Sequence, residues 1–199
     1  MTTVIQSIRM MSIIQTVGHS QDEKKANHER IVEIAAARMR ESGTEAPGVA
    51  EIMRSAGLTH GGFYKHFGSR DQLVAEAAEH AFDASARRTA DALDGVDDPL
   101  AAFADFYLSA AHRDGAADGC AVAGLGPDAA RGDERIRTQF ADGVRGYLAL
   151  LEDMLGSRDD AVVALSSMVG ALLLSRAVDD PQLSEEFLSG VREAVVTAR

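Results

Sequence analysis

Between residues 31 and 195 the apolar side chains return every three or four positions, and each such stretch is closed by a glycine, a proline or a capping Asp or Ser. That spacing collects apolar groups on one face of a helix. A strand would need strict alternation of β-branched and polar residues, which is not found. Four prolines in 199 residues, with abundant Ala, Leu, Glu, Asp and Arg, point to an all-α chain. At 46% hydrophobic it is long enough to bury a proper core as one or two compact units.

The punctuation gives an order of helices. Ser20-Gln21-Asp22-Glu23 reads as a capping box that opens a helix to about Ser42, with Ile31, Ile34, Ala35 and Met39 inward and Gly43 as the stop. VAEIMRSA makes a short helix ending at Gly57, and a second short helix follows from Thr59 to Phe67. Ser69 with Gln72 forms another capping box, heading a long helix over 69–93 with Leu73, Ala77, Ala81 and Phe82 inside. Asp98 as N-cap and Pro99 at the first helical position launch a helix over 99–112. The glycine-broken stretch 114–132 predicts one or two short, kinked helices, and helices over 133–155 and 159–178 follow. Asp180-Pro181 caps the last, which carries Leu183, Phe187, Val191 and Val195 four apart. The helices group as an N-terminal three-helix bundle and a larger C-terminal bundle joined by the long helix. Residues 1–23 are expected to be an arm, either flexible or an extra helix.

Charge and cysteine usage narrow the classes. The net charge is −11, yet residues 1–70 carry nine Lys/Arg against seven Asp/Glu, while residues 71–199 carry eleven against twenty-four. Four of the six histidines also fall in the first seventy. A mildly basic head on an acidic body favours a partner for the head that the body would repel. One cysteine excludes an internal disulfide framework and a Cys-based zinc site, which fits a reducing cytoplasm. His80 and His112 lack a second ligand at i+4, so no metal or cofactor is expected. The uncharged run AVVALSSMVGALLLS is too short to span a bilayer and predicts a buried helix, and the first 23 residues lack the pattern of a signal peptide. No Ser-His-Asp order, carboxylate pair or phosphate loop stands out, so an enzyme is the weaker alternative, beside a helical protein-binding adaptor.

The segment AGLTHGGFYKHF, residues 56–67, carries the sharpest signal. Short helix, glycine turn, short helix is the shape of a helix-turn-helix. Ile52 and Phe63 would be its buried anchors, Gly57 would supply a positive φ, and Thr59 would cap the second helix. Gly61 and Gly62 remove bulk where backbone must approach a phosphate or base edge. Thr59 and His60, at the tip, are placed to reach bases, and Tyr64, Lys65 and His66 suit phosphate contacts.

RIVEIAAARMRESG, VAEIMRSAGLTHGGFYKHF and GSRDQL together resemble the DNA-binding domain of the tetracycline-repressor (TetR) family, over about Arg30 to Leu73. The resemblance implies a homodimer that represses transcription and leaves its double-stranded DNA operator when a small-molecule inducer binds the larger domain. On it, residues 24–70 would be the DNA-binding domain and 71–199 the ligand-binding and dimerisation domain. Thr59, His60, Gly61, Tyr64, Lys65 and His66 would meet the operator, and Arg70 would contact a phosphate. Two departures stand out. Pro47-Gly48 replace the Thr-Ser that caps the second helix in many relatives, leaving the backbone at Gly48 to make that phosphate contact. Met53 stands where a small residue is common.

For the larger domain, Phe82, Phe103, Phe106, Tyr107, Phe140, Tyr147 and Met154 are candidate pocket residues, with ordinary core packing as the alternative. Cys120 is either a reactive sensor or a small buried residue. Helices 159–178 and 181–197 are the expected dimer face. Leu165, Met168, Leu172, Leu173, Leu183, Phe187 and Val191 supply apolar area there, and small Ser166 and Gly170 allow close approach.

Overall fold

The computed structural model describes residues 2–44 and 48–197, with side chains from residue 21 onward. Among them there are helices and connecting turns and no strand.

The first helix, α1, spans Thr2–Ser42 without interruption. The start expected at Ser20 is therefore inside a helix, and residues 2–23 continue α1. A capping box favours a beginning but stops nothing, and the only breaker upstream, Gly18, costs a helix only about 1 kcal/mol. Gly43 ends α1 at φ 82, its N–H donating to the Met39 carbonyl at 2.8 Å. After α2, Val49–Ser55, the chain turns through Gly57 at φ 73 into a six-residue 3-10 helix, His60–Lys65. Two adjacent glycines give that segment too little α propensity for the longer helix expected to Phe67.

The long α3, Arg70–Leu93, starts at Ser69, whose Oγ accepts the Gln72 N–H at 3.1 Å. The Gln72 side chain accepts from Gly68 N–H at 2.8 Å rather than from Ser69, so the box is shifted by one residue. Asp98 caps α4, Pro99–Tyr107. Here the expected helix over 99–112 breaks. Ser109 Oγ donates to the Phe106 carbonyl and accepts the His112 N–H, closing one helix and opening α5, Ala110–Asp114. A 3-10 turn, Ala116–Asp118, leads to α6, Ala121–Arg131, which keeps its helical path through Pro127. Then come α7, Glu134–Leu155, α8, Arg158–Ala177, and α9, Pro181–Thr197, the last capped by Asp180 accepting from Gln182 and Leu183 N–H groups.

Two apolar cores result. One gathers Ile31, Met39, Ile52, Met53, Phe63, Phe67 and Leu73 from the first helices, together with Ala121 and Leu125 of α6. The other gathers Phe103, Tyr107, Leu151, Leu165, Met168, Leu172 and Leu188 from α4 and α7–α9. Each large side chain so buried stabilises the fold by about 1.5–3 kcal/mol. α6 thus feeds both cores, Ala121 and Leu125 the first and Val122 and Ala123 the second.

Candidate nucleic-acid interface

The angle between α2 and the 3-10 helix is set by packing. Ile52, Met53 and Phe63 are buried, and Phe63 stacks on Phe67 at a ring distance of 5.4 Å. Met53 is fully buried at its unexpected position, with Gly62 beside it. A Cβ at Gly62 would lie 3.6 Å from Met53 Cε, an ordinary contact. Thr59 begins the 3-10 helix in extended conformation, but its hydroxyl caps no backbone N–H. It is exposed, as are His60, Gly61, Tyr64 and Lys65, with Tyr64 75% accessible. A Cβ at Gly61 would meet nothing within 4 Å, so no contact inside the molecule requires glycine there. Gly48 is the exposed N-cap of α2; no side chain caps that helix, and Pro47 lies outside the described residues.

Two expected DNA contacts are placed otherwise. His66 turns back over α1, its ring 6.3 Å from those of both His28 and Phe67. Its Nδ1 is buried without a hydrogen-bond partner. Burial first, then the charges of His28, Lys24 and Lys65, lower its pKa, so the imidazole stays neutral rather than offering a cation to phosphate. Arg70 is half-buried and donates from Nη2 to the Thr44 carbonyl at 2.5 Å. Its guanidinium holds the α1–α2 linker instead of standing free toward a duplex.

The same linker is gripped by residues that the sequence did not single out. Asp128 of α6 accepts from Thr44 N–H at 3.1 Å and from Thr44 Oγ at 2.8 Å. Arg40, 6% exposed, donates from Nε to the Ala117 carbonyl at 2.6 Å, while its Nη1 is buried and unpaired. Burial lowers its pKa. A Cβ at Gly124 would come within 3.1 Å of Arg40 Cα, so α6 meets α1 backbone to backbone.

Residues 31–77 match the model of bacterial regulatory proteins of the tetR family. Two HTH-type transcriptional regulators from two strains of Mycobacterium tuberculosis are each 29% identical over 168 residues, covering 76% of this chain and 85% of theirs. Residues 31–77 thus carry the DNA-binding region of the tetR family, and the chain is similar to regulators of that family. Solved structures agree in fold. A TetR regulator from Chloroflexus aurantiacus superposes with a TM-score of 0.77 at 21% identity, covering 88% of this chain and 97% of that one. NemR of E. coli, in its reduced form, gives 0.72 at 21% identity, covering 85% and 95%. The similar proteins are named as transcriptional regulators, and the matched residues 31–77 are the part that such regulators share.

A cavity of about 560 Å³ opens between α3 and α7. Of the expected lining residues only Phe82 and Tyr147 reach it. Phe140 packs edge-on to Phe82 at 6.1 Å, Phe103 and Tyr107 are fully buried core, and Met154 rests against that core. Phe106, Tyr107 and Cys120 meet Tyr147 around a separate void of about 20 Å³. Cys120 is 4% exposed and donates its N–H to His112 Nε2 at 2.9 Å, while His112 Nδ1 donates to the Tyr107 carbonyl at 2.6 Å. Burial is the main cause lowering the His112 pKa, and the two bonds suit only the neutral ring. The walls of the large cavity, among them Glu79, Asp83, Ala86, Ala90 and Gly146, escaped the sequence reading. Alanines, a glycine and carboxylates on a helix face read there as packing or solvated surface.

On α8 the expected contact face divides. Leu165, Met168 and Leu172 are 5%, 0% and 0% exposed and belong to the chain's own core. Phe187 and Val191 are half-buried against it. Ser166, Leu173 and Leu183 do face outward, Gly170 is half-buried, and exposed Val162, Val163 and Leu174 join them. α8 is long and apolar enough by length and composition to cross a bilayer, but Ala161, Leu165, Met168 and Leu172 are spent on the core. A helix apolar all round does not reveal from its period which side is outward.

Proposed function

We propose that this protein is a regulator of the TetR family, a cytoplasmic homodimeric repressor held on a near-palindromic operator and released by a small molecule. Residues 24–70 read DNA, and residues 71–199 hold the ligand and the partner protomer. The observation that carries the reading is the exposed tip His60–Lys65, where Gly61 has open space in place of an internal contact. Thr59 and His60 meet base edges, Gly61 and Gly62 let the backbone close on the duplex, and Tyr64 and Lys65 bind phosphate. The uncapped start of α2 at Gly48 adds a backbone contact of the same kind. Two such tips across a two-fold axis read half-sites about one helical turn apart, roughly 34–36 Å, or somewhat more. The outward apolar face of α8 and α9 supports that pairing.

Selection from a random duplex pool with the purified protein identifies the operator, and gel shifts then test the roles. Tyr64→Ala and Lys65→Ala weaken binding to all sites, and Lys65→Ala reduces the slope of log affinity against log salt by about 1. His60→Ala changes which bases are preferred. Unchanged gel shifts for the Tyr64 and Lys65 variants would remove the assignment.

A further inference from the structure

Resting on that reading, we propose that the cavity between α3 and α7 takes a lipophilic organic cation. Its volume of about 560 Å³ suits a drug-sized molecule. The space has a clear origin. Phe82 lies across Gly143, whose Cβ would come within 2.3 Å of the ring, so the two helices touch there. Further along, Ala86 and Ala90 face Gly146, and a Cβ at Gly146 would find nothing within 4 Å. The walls are too small to fill the gap between the helix axes.

The chemistry of the lining has one sign. Glu79 and Asp83 stand one turn apart on the same face of α3, and neither has a hydrogen bond or ion pair among the described residues. Asp142 faces them from α7, held by Arg145 at 2.5 Å. Gln139 donates from Nε2 to the Ala75 carbonyl, leaving its Oε1 buried with no donor. No Lys, Arg or His lines the cavity among the described residues. The charged groups of the lining are thus all carboxylates, and the Thr89 hydroxyl is already spent as a donor on the Ser85 carbonyl. The rings of Phe82 and Tyr147 add negative π faces over an otherwise apolar floor. An anionic ligand would enter against two unpaired carboxylates, and a neutral one would gain nothing from them. A cation with apolar substituents satisfies both the mouth and the floor.

The test uses the full-length protein and three probes of similar shape: tetraphenylphosphonium, its anionic counterpart tetraphenylborate, and neutral triphenylphosphine oxide, each titrated calorimetrically. The phosphonium binds at least tenfold more tightly than the other two. Combined Glu79→Gln and Asp83→Asn weakens it about tenfold without moving the thermal midpoint, and Gly146→Leu, which fills the space, abolishes it. Equal binding of the borate or the oxide, no binding of any probe, or an affinity untouched by both variants would overturn the proposal. Repeating the titrations on the operator complex separates it from the reading beneath. A phosphonium that binds as expected yet leaves the protein on DNA upholds the cation site and removes ligand-driven release. Release by the borate alone does the reverse.

Discussion

Gly61 can be tested for the DNA and for the fold separately. Because a Cβ there touches nothing, Gly61→Ala leaves the protein folded and stabilises the tip by up to about 1 kcal/mol through its better helix propensity. The same methyl group projects from an exposed surface, so operator affinity falls. Urea denaturation and gel shift on one preparation should move in opposite directions. His112 carries a second prediction at this scale. Its folded pKa lies below the ordinary value near 6.5, since burial, helped by the charges of Arg176 and Arg88, outweighs the Tyr107 carbonyl, which favours the charged ring. The unfolded chain therefore binds the proton more readily, so the stability His112 supplies is complete above about pH 6.5 and is lost as pH falls toward the folded value. The thermal midpoint drops between pH 7 and 5. His112→Gln, with one donor and one acceptor and no titration, flattens that drop. His66 is shifted the same way, so part of it persists. Local chemistry of this kind was readable in the sequence where a single residue decides it. Gly57 takes its positive φ, and Asp98 and Asp180 cap the helices assigned to them. It was unreadable for His66 and Arg70, whose orientation depends on His28 and Thr44, partners distant in the chain.

Elements were legible in kind and less so in extent. Helical periodicity located the long segments, but nothing in it announces that α1 runs on through Ser20 or that Ser109 divides α4 from α5. Those outcomes turn on competition between one side chain and the backbone. α6 is the element whose part in the fold was least visible, because glycines and a proline hide an 11-residue helix. Its Asp128 fastens the linker into α2 with two hydrogen bonds on one carboxylate oxygen. Asp128→Ala leaves Thr44 without both and lowers stability by about 2 kcal/mol, measurable as a shift in urea midpoint at constant slope. A second element-level test concerns α8. Val163 and Leu174 lie three turns apart on its outward side, 65% and 47% exposed. Val163→Glu with Leu174→Glu leaves helicity unchanged by circular dichroism, and light scattering returns the mass of one chain instead of two.

At the scale of the whole molecule the charge polarity acquires a location. The acidic majority lies beyond residue 70, and part of it faces the α3–α7 cavity through Glu79, Asp83 and Asp142. An acidic body repels DNA phosphate, which favours approach of the duplex to the tip at residues 60–65. The overall fold could be anticipated because helix order and length follow from caps and periods. The cavity could not, since it is defined by what α3 and α7 lack between them, and side chains that fail to fill a space leave no pattern along the chain. The contact of Gly124 with Arg40 is of that kind too, and it has a mechanical consequence. Where two helices meet without side chains between them there is no cushion to absorb a displacement. A tilt of α6 by even a fraction of an ångström must be taken up by the C-terminal turn of α1, and the joint that feeds the reading head behaves as a rigid lever in place of a soft hinge.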